Sequence, residues 1–260
     1  MSRLAFSERG HVYSLDGKRV PSVSRIAGAP NKAAMPYAAA REAALWASAH
    51  RDAYDVMGDA AWLKSATEAH RIEWNQRADD GRLLHVLAEA LVYGHILPSD
   101  HDGKPVPDHV ADMAEQLARF YDAHRVEPVA HERMVWHERY RYAGRFDLLA
   151  RLGSDGRRWL LDYKTGASGV WPETSLQLTG YRYATHYVDP ENVDRSLDEL
   201  AIEETGAVWL RPDSWELLPV RSDVKVWDIF RHCGAVAQWL DWKREDSIYD
   251  PLPRPETVAP

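Results

Sequence analysis

Between residues 33 and 127 the apolar positions recur at helical spacing; from 128 onward they gather into short runs bounded by turn residues. The alanine-rich stretch 33–47 predicts a helix, and 61–76 predicts another. Asp79 and Asp80 read as the acidic start of a separate helix over 81–93, with Leu83, Leu84, Leu87 and Leu91 on its apolar face. A loop containing Pro98, Gly103, Pro105 and Pro107 leads to a helix over 108–125 that carries Val110, Met113, Leu117 and Phe120. Before these helices, residues 4–30 read as short strands with an Asp16-Gly17 turn. After them, strands are expected over 129–137, 143–152 and 157–165, and a helix over 176–187 entered through Trp171-Pro172-Glu173-Thr174. A second hairpin, 207–210 with 216–220, and a closing helix over 224–242 complete the pattern.

The most informative spacing lies in the hairpin that turns at Gly153-Ser154-Asp155-Gly156. Symmetric pairing about that turn puts Gly153 opposite Gly156, Leu152 opposite Arg157, and Asp147 opposite Asp162. Directly opposed residues share one face of a sheet with Cβ atoms roughly 5 Å apart, and like charges there repel. Lys164, two residues beyond Asp162, projects from the same face. Two carboxylates and an ammonium on one patch call for a cation, and Mg²⁺ and Mn²⁺ favour oxygen ligands while keeping sites open for substrate phosphate. The arrangement points to metal-dependent phosphodiester cleavage. A one-residue slip or bulge would instead leave an ordinary hairpin with solvated acids.

The bulk composition narrows the classes without deciding among them. The 260 residues carry a formal charge of −8, contrary to the basic footprint expected of a simple nucleic-acid binder. Arginines do cluster locally, with Arg139, Arg141, Arg145, Arg151, Arg157 and Arg158 around the hairpin. Cys233 is the single cysteine, which excludes an internal disulfide, a Cys₄ zinc site and a cysteine-held iron–sulfur cluster within one chain. No apolar run approaches the roughly 20 residues of a membrane span, and the start lacks a secretory segment, so a cytoplasmic protein without membrane contact is expected. A nucleotide-binding Gly-Lys-Ser/Thr element is absent.

Four short motifs in order resemble the PD-(D/E)XK nuclease superfamily: Gly81-Arg-Leu-Leu-His85, Gly144-Arg-Phe-Asp147, Leu161-Asp-Tyr-Lys-Thr-Gly166 and Gln177-Leu-Thr-Gly-Tyr181. They are most similar to the RecB-like exonuclease branch, and Val20-Pro-Ser-Val-Ser24 resembles the opening of its phage-encoded members. CRISPR-associated relatives carry a four-cysteine iron–sulfur cluster that this chain cannot build.

The resemblance implies an α/β, restriction-endonuclease-like core: a central mixed sheet of four or five strands flanked by helices, with an N-terminal helical region. It implies one nuclease domain over 1–245 (helical 33–127, catalytic core 128–245) and a proline-rich tail over 246–260. By position, Asp147, Asp162, His85 and the backbone carbonyl of Tyr163 would hold Mg²⁺ or Mn²⁺, Lys164 would be the catalytic lysine, and Gln177 and Tyr181 would approach the lysine or DNA. Glu89, one turn beyond His85, is a possible acceptor for it, and Glu132 is left outside the expected shell. The implied substrate is DNA, as ends or single strands. A single-strand annealing or recombination protein, or further copies of the chain, would be natural partners. An endonuclease of resolvase type and an idle binding or adaptor module remain the alternatives.

Overall fold

The structure, a computed structural model, describes residues 2–30, 34–166 and 169–248. In chain order the first elements are β1 (Leu4–Ser7), β2 (Val12–Leu15), β3 (Lys18–Val20), α1 (Val23–Ala27), α2 (Ala34–Ala49), α3 (Tyr54–Met57) and α4 (Asp59–Val92). They are followed by β4 (Asp100–His101), β5 (Lys104–Pro105), α5 (Asp108–His124), β6 (Val126–His137), β7 (Tyr142–Leu152) and β8 (Arg158–Lys164). The remainder is α6 (Glu173–Arg182), β9 (His186–Val188), β10 (Asp194–Ser196), β11 (Glu204–Arg211), β12 (Ser214–Pro219), α7 (Val224–Trp239) and α8 (Arg244–Ser247). The expected tail falls mostly on residues 249–260, outside those described.

The central sheet is mixed α/β in construction, with strand order β10-β9-β6-β7-β8-β11-β12. All its neighbours are antiparallel except β8 and β11, which run parallel. That one parallel pair needs a long crossover, and α6 with β9 and β10 supplies it. Both faces are covered. Leu84, Leu87 and Ala88 of α4 and Val110, Leu117 and Phe120 of α5 pack with Leu148, Ala150, Leu161 and Val208 on one side. Val23, Leu178, Tyr181 and Phe230, from α1, α6 and α7, meet Leu149 and Leu160 on the other. Sheets buried on both faces have near-continuous apolar strands, which accounts for the runs in β7 and β8. Among the described residues no helix is long and apolar enough to cross a membrane.

The hairpin register is set at its turn. Asp155 accepts from the Arg157 amide at 2.9 Å and from Trp159 Nε1 at 2.9 Å, and Gly156 takes φ +76°. Pairing then runs from Arg151–Arg158 to Leu148–Leu161, the register the turn predicts.

Three expectations are corrected. The sheet has seven strands rather than four or five, because β9 and β10 are three residues each and too short to show a period. The helix expected over 176–187 ends at Arg182, where the Thr185 amide bonds the Trp136 carbonyl at 3.0 Å and draws the chain alongside β6. The helices expected over 61–76 and 81–93 are one, α4, running unbroken through Asp79 and Asp80. Those acids do not cap a helix: Asp80 is held by Gln76 Nε2 and His109 Nε2, each at 2.9 Å, and Asp79 pairs with Arg82 one turn on.

Close approach of α6 to β7 depends on two glycines. A Cβ on Gly180 would lie 2.6 Å from Phe230, and one on Gly144 would lie 2.7 Å from Tyr181. Overpacking of this kind costs about 1–3 kcal/mol. Gly180→Ala should therefore lower unfolding free energy by about that amount in urea titration, whereas Gly17→Ala, with open space around its Cβ, should lose only the φ penalty of its turn. Equal stability of Gly180→Ala and the parent would contradict this packing.

Candidate active site

Pairing between β7 and β8 stops after Leu148–Leu161, although β7 continues along β6 and β8 along β11. The two strands therefore part, and the register carried one step further sets Asp147 against Asp162 at the fork. Asp147 Oδ2 accepts from the Tyr163 amide at 2.8 Å, so the carboxylate takes over a hydrogen bond that the sheet no longer makes. Both acids are buried, at 7% and 2% exposure.

On the other side of β7, His131–Leu148 and Arg133–Phe146 flank a position where Glu132 faces Asp147. Three acids from three adjacent strands thus stand in one row. Glu132 sits mid-strand at φ +48°, a left-handed conformation that a residue with a side chain seldom adopts. Such outliers persist where the surrounding structure over-determines them, and function is the usual reason.

Helices approach the fork from both faces of the sheet. From α4, His85 Nδ1 lies 2.9 Å from Glu132 Oε1 and 3.8 Å from Asp147 Oδ1. From α6, Gln177 Nε2 donates to Asp162 Oδ1 at 2.8 Å and to the Tyr181 hydroxyl at 3.3 Å, while its Oε1 accepts from Lys164 Nζ at 3.2 Å. Gln177 and Tyr181 are one helical turn apart, which brings amide and phenol together. Lys164 Nζ is 2.5 Å from Asp162 Oδ2 as an ion pair. Among the described residues that ammonium is the polar partner of this buried oxygen.

The protonation states follow from this crowding. Burial alone would lower the His85 pKa, but the charges of Asp147 and Glu132 outweigh it and raise it to about 9. Burial lifts Asp147 to about 7; His85 pulls against that, and Asp162 adds to it. Burial would likewise discharge Lys164, yet Asp162 and Asp147 hold its pKa above the ordinary lysine value, so the ammonium is charged at neutral pH. Tyr181 is pushed well up by burial and keeps its proton.

A hard divalent cation suits this donor set. One ligand atom each from His85, Glu132 and Asp147 lies within 4.8 Å of the others, and a doubly charged ion would favour the ionised Asp147 carboxylate that burial, and after it Asp162, disfavours. Asp162 is outside that trio, its carboxylate engaged by Lys164 through Oδ2 and by Gln177 through Oδ1. The trio opens on a cavity of about 740 Å³ that Arg82, Glu89, Arg145 and Tyr181 also line. Glu89 is at the cavity wall rather than on His85, whose Nδ1 is taken by Glu132. The Tyr163 phenol turns away to Tyr121, at 2.7 Å.

Comparison with protein-family models matches residues 37–226 to the PD-(D/E)XK nuclease superfamily. The chain belongs to this superfamily. Its members are nucleases that use divalent metal ions, in keeping with the acidic cluster at the fork. No curated protein matches the chain. Of the residues singled out in the sequence, the fold brings together His85, Asp147, Asp162, Lys164, Gln177 and Tyr181. To them it adds Glu132 and Arg145, whose Nε is 3.4 Å from Glu132 Oε2. Glu132 was legible: it precedes Asp147 by the same 15 residues that separate Asp147 from Asp162.

Cation binding at such a site must displace protons from His85 and in part from Asp147. Mn²⁺ affinity measured by calorimetry should therefore climb from pH 6 to pH 9 and level off above it. At pH 7, buffers of different ionisation enthalpy should report between one and two protons released per ion, a full one from His85 and a fraction from Asp147. Affinity independent of pH over that range would contradict the assignment of these groups to the cation.

Proposed function

We propose that this superfamily member is a Mg²⁺- or Mn²⁺-dependent deoxyribonuclease of the RecB-like, phage-type branch, acting as an exonuclease on DNA ends in recombination, repair or end processing. A cytoplasmic protein and a single nuclease domain over 1–245 belong to the same reading, as does association with a strand-annealing or recombination protein or with further copies. The observation that carries it is the convergence of Asp147, Asp162 and Lys164 at one fork in the sheet, beside Glu132 and His85, which with Asp147 line a cavity.

In this reading His85, Glu132 and Asp147 hold the cation, with Asp162 and the Tyr163 carbonyl completing its surroundings. When bound, the ion would supply a lowered pKa for water and positive charge at the phosphate. Lys164, kept protonated by Asp162, offers its ammonium to a phosphoryl oxygen and offsets the charge that develops there. It is a poor base in this state, so its contribution is electrostatic. Gln177 bridges Lys164 and Asp162 and fixes the angle between them. Tyr181, neutral and bonded to Gln177, holds that amide in place.

End-labelled linear DNA and closed circular DNA, each incubated with Mn²⁺ or with chelator, test the proposal. Loss of linear DNA alone, abolished by chelator and reduced about 10²–10³-fold in kcat for Lys164→Ala, is the expected result. Cutting of circles would make the chain an endonuclease, and metal-independent binding without cleavage would make it an adaptor module.

A further inference from the structure

The three-stranded sheet formed by β1, β2 and β3 precedes the family-matched residues, yet it walls the catalytic cavity. Phe6, His11 and Tyr13 line that cavity together with His85, Glu132 and Asp147. The Phe6 and His11 rings meet edge to face at 5.0 Å, Phe6 and Tyr13 lie 4.7 Å apart, and the Arg145 guanidinium sits 5.0 Å from the Phe6 ring centre. Arg145 also reaches Glu132 at 3.4 Å, so the aromatic wall and the acidic trio share a side chain. His11 is exposed at the turn, held at φ +53° with its amide bonded to Glu8 at 3.1 Å.

A second cavity, about 610 Å³, adjoins the first; His11, Tyr13 and Ser22 line both. Its character is different. Lys18, Arg19, Arg25 and Arg141 contribute to its walls. Arg25 is engaged by Asp241 and Arg141 by Asp16, whereas Lys18 and Arg19 on the edge strand β3 have no ion pair among the described residues. In a chain of charge −8, two unpaired cations at the end of an aromatic passage from the acidic site are a local reversal of sign.

We propose that this N-terminal sheet guides a single DNA strand: a base next to the scissile phosphate stacks on His11, backed by Phe6, and the strand continues over Lys18 and Arg19. Rings that accept any base and cations that follow the backbone are the usual ingredients of single-strand grooves. An exposed ring stacks on a base that has left its paired partner, so stacking on His11 suits a single strand. This rests on the DNA nuclease reading and adds to it the form of the substrate, a single strand rather than an intact duplex.

The test uses the full chain with Ca²⁺ in place of Mn²⁺ and a single-stranded oligonucleotide carrying 2-aminopurine near its end. Binding should quench the 2-aminopurine, and His11→Ala and Phe6→Leu should weaken affinity about tenfold. Neither variant should lose affinity for an oligonucleotide made abasic at the stacked position. Lys18→Ala with Arg19→Ala should lower the slope of log affinity against log salt by about 0.7 for each phosphate contact removed. Circular dichroism melts of each variant separate loss of binding from loss of fold, and His11→Ala, at an exposed turn, serves where Phe6→Leu disturbs packing. Equal losses on normal and abasic strands, or an unchanged salt slope, would overturn the strand guide while Mn²⁺-dependent cleavage still stood. Absence of any oligonucleotide binding by the parent chain would overturn the strand guide, and the DNA nuclease reading would fall with it only where linear DNA also survives Mn²⁺.

Discussion

Three carboxylates forced into one row across adjacent strands govern this molecule. Glu132, Asp147 and Asp162 come from β6, β7 and β8, and the sheet that aligns them also buries Asp147 and Asp162 and half-buries Glu132. Burying like charges side by side is costly unless counter-charges and hydrogen bonds surround them. The fold provides both: His85 beside Glu132 and Asp147, Lys164 beside Asp162, and the Tyr163 amide on Asp147. A divalent cation would add to these counter-charges and favour the ionised form of Asp147, which burial disfavours.

The rest of the architecture can be understood as the support that this row requires. The parting of β7 and β8 makes the opening, while the continued pairing of each with its other neighbour keeps the fork rigid. Helix α4 enters from one face with His85, and α6 from the other with Gln177 and Tyr181, so the acids and the lysine meet side chains from separate elements. Gly144 and Gly180 let α6 come close enough for Gln177 to span Lys164 and Asp162. Helix α7 completes the support by placing Phe230 against Gly180.

Much of this was legible in the residues, and where it was not, the reasons are physical. The turn at 153–156 determined the register of its hairpin because Gly156 and Asp155 admit few alternatives there. The same arithmetic applied one hairpin earlier places Glu132 opposite Asp147, since the pairs from His137–Tyr142 to Ala130–Leu149 keep one register, whereas the left-handed φ of Glu132 carries no mark in residue type. Short strands β9 and β10 depend on partners distant in sequence: His186 stacks on Trp136, and Asp194 accepts from Trp136 Nε1, Ser2 and the Arg3 amide. The unbroken course of α4 was hidden by Asp79, Asp80 and Gly81, which usually punctuate helices but here find partners at helical spacing or across to α5. Local chemistry was readable, and contacts between remote segments were not.

Whether the acidic row clamps a cation is decided by diffraction from Mn²⁺-soaked crystals with anomalous scattering. One anomalous peak is expected within coordination distance of His85, Glu132 and Asp147, and it should vanish in Asp147→Asn crystals that retain the fold. A fully soaked crystal with no peak at the fork, or with the ion bound elsewhere and these carboxylates unengaged, would contradict the clamp.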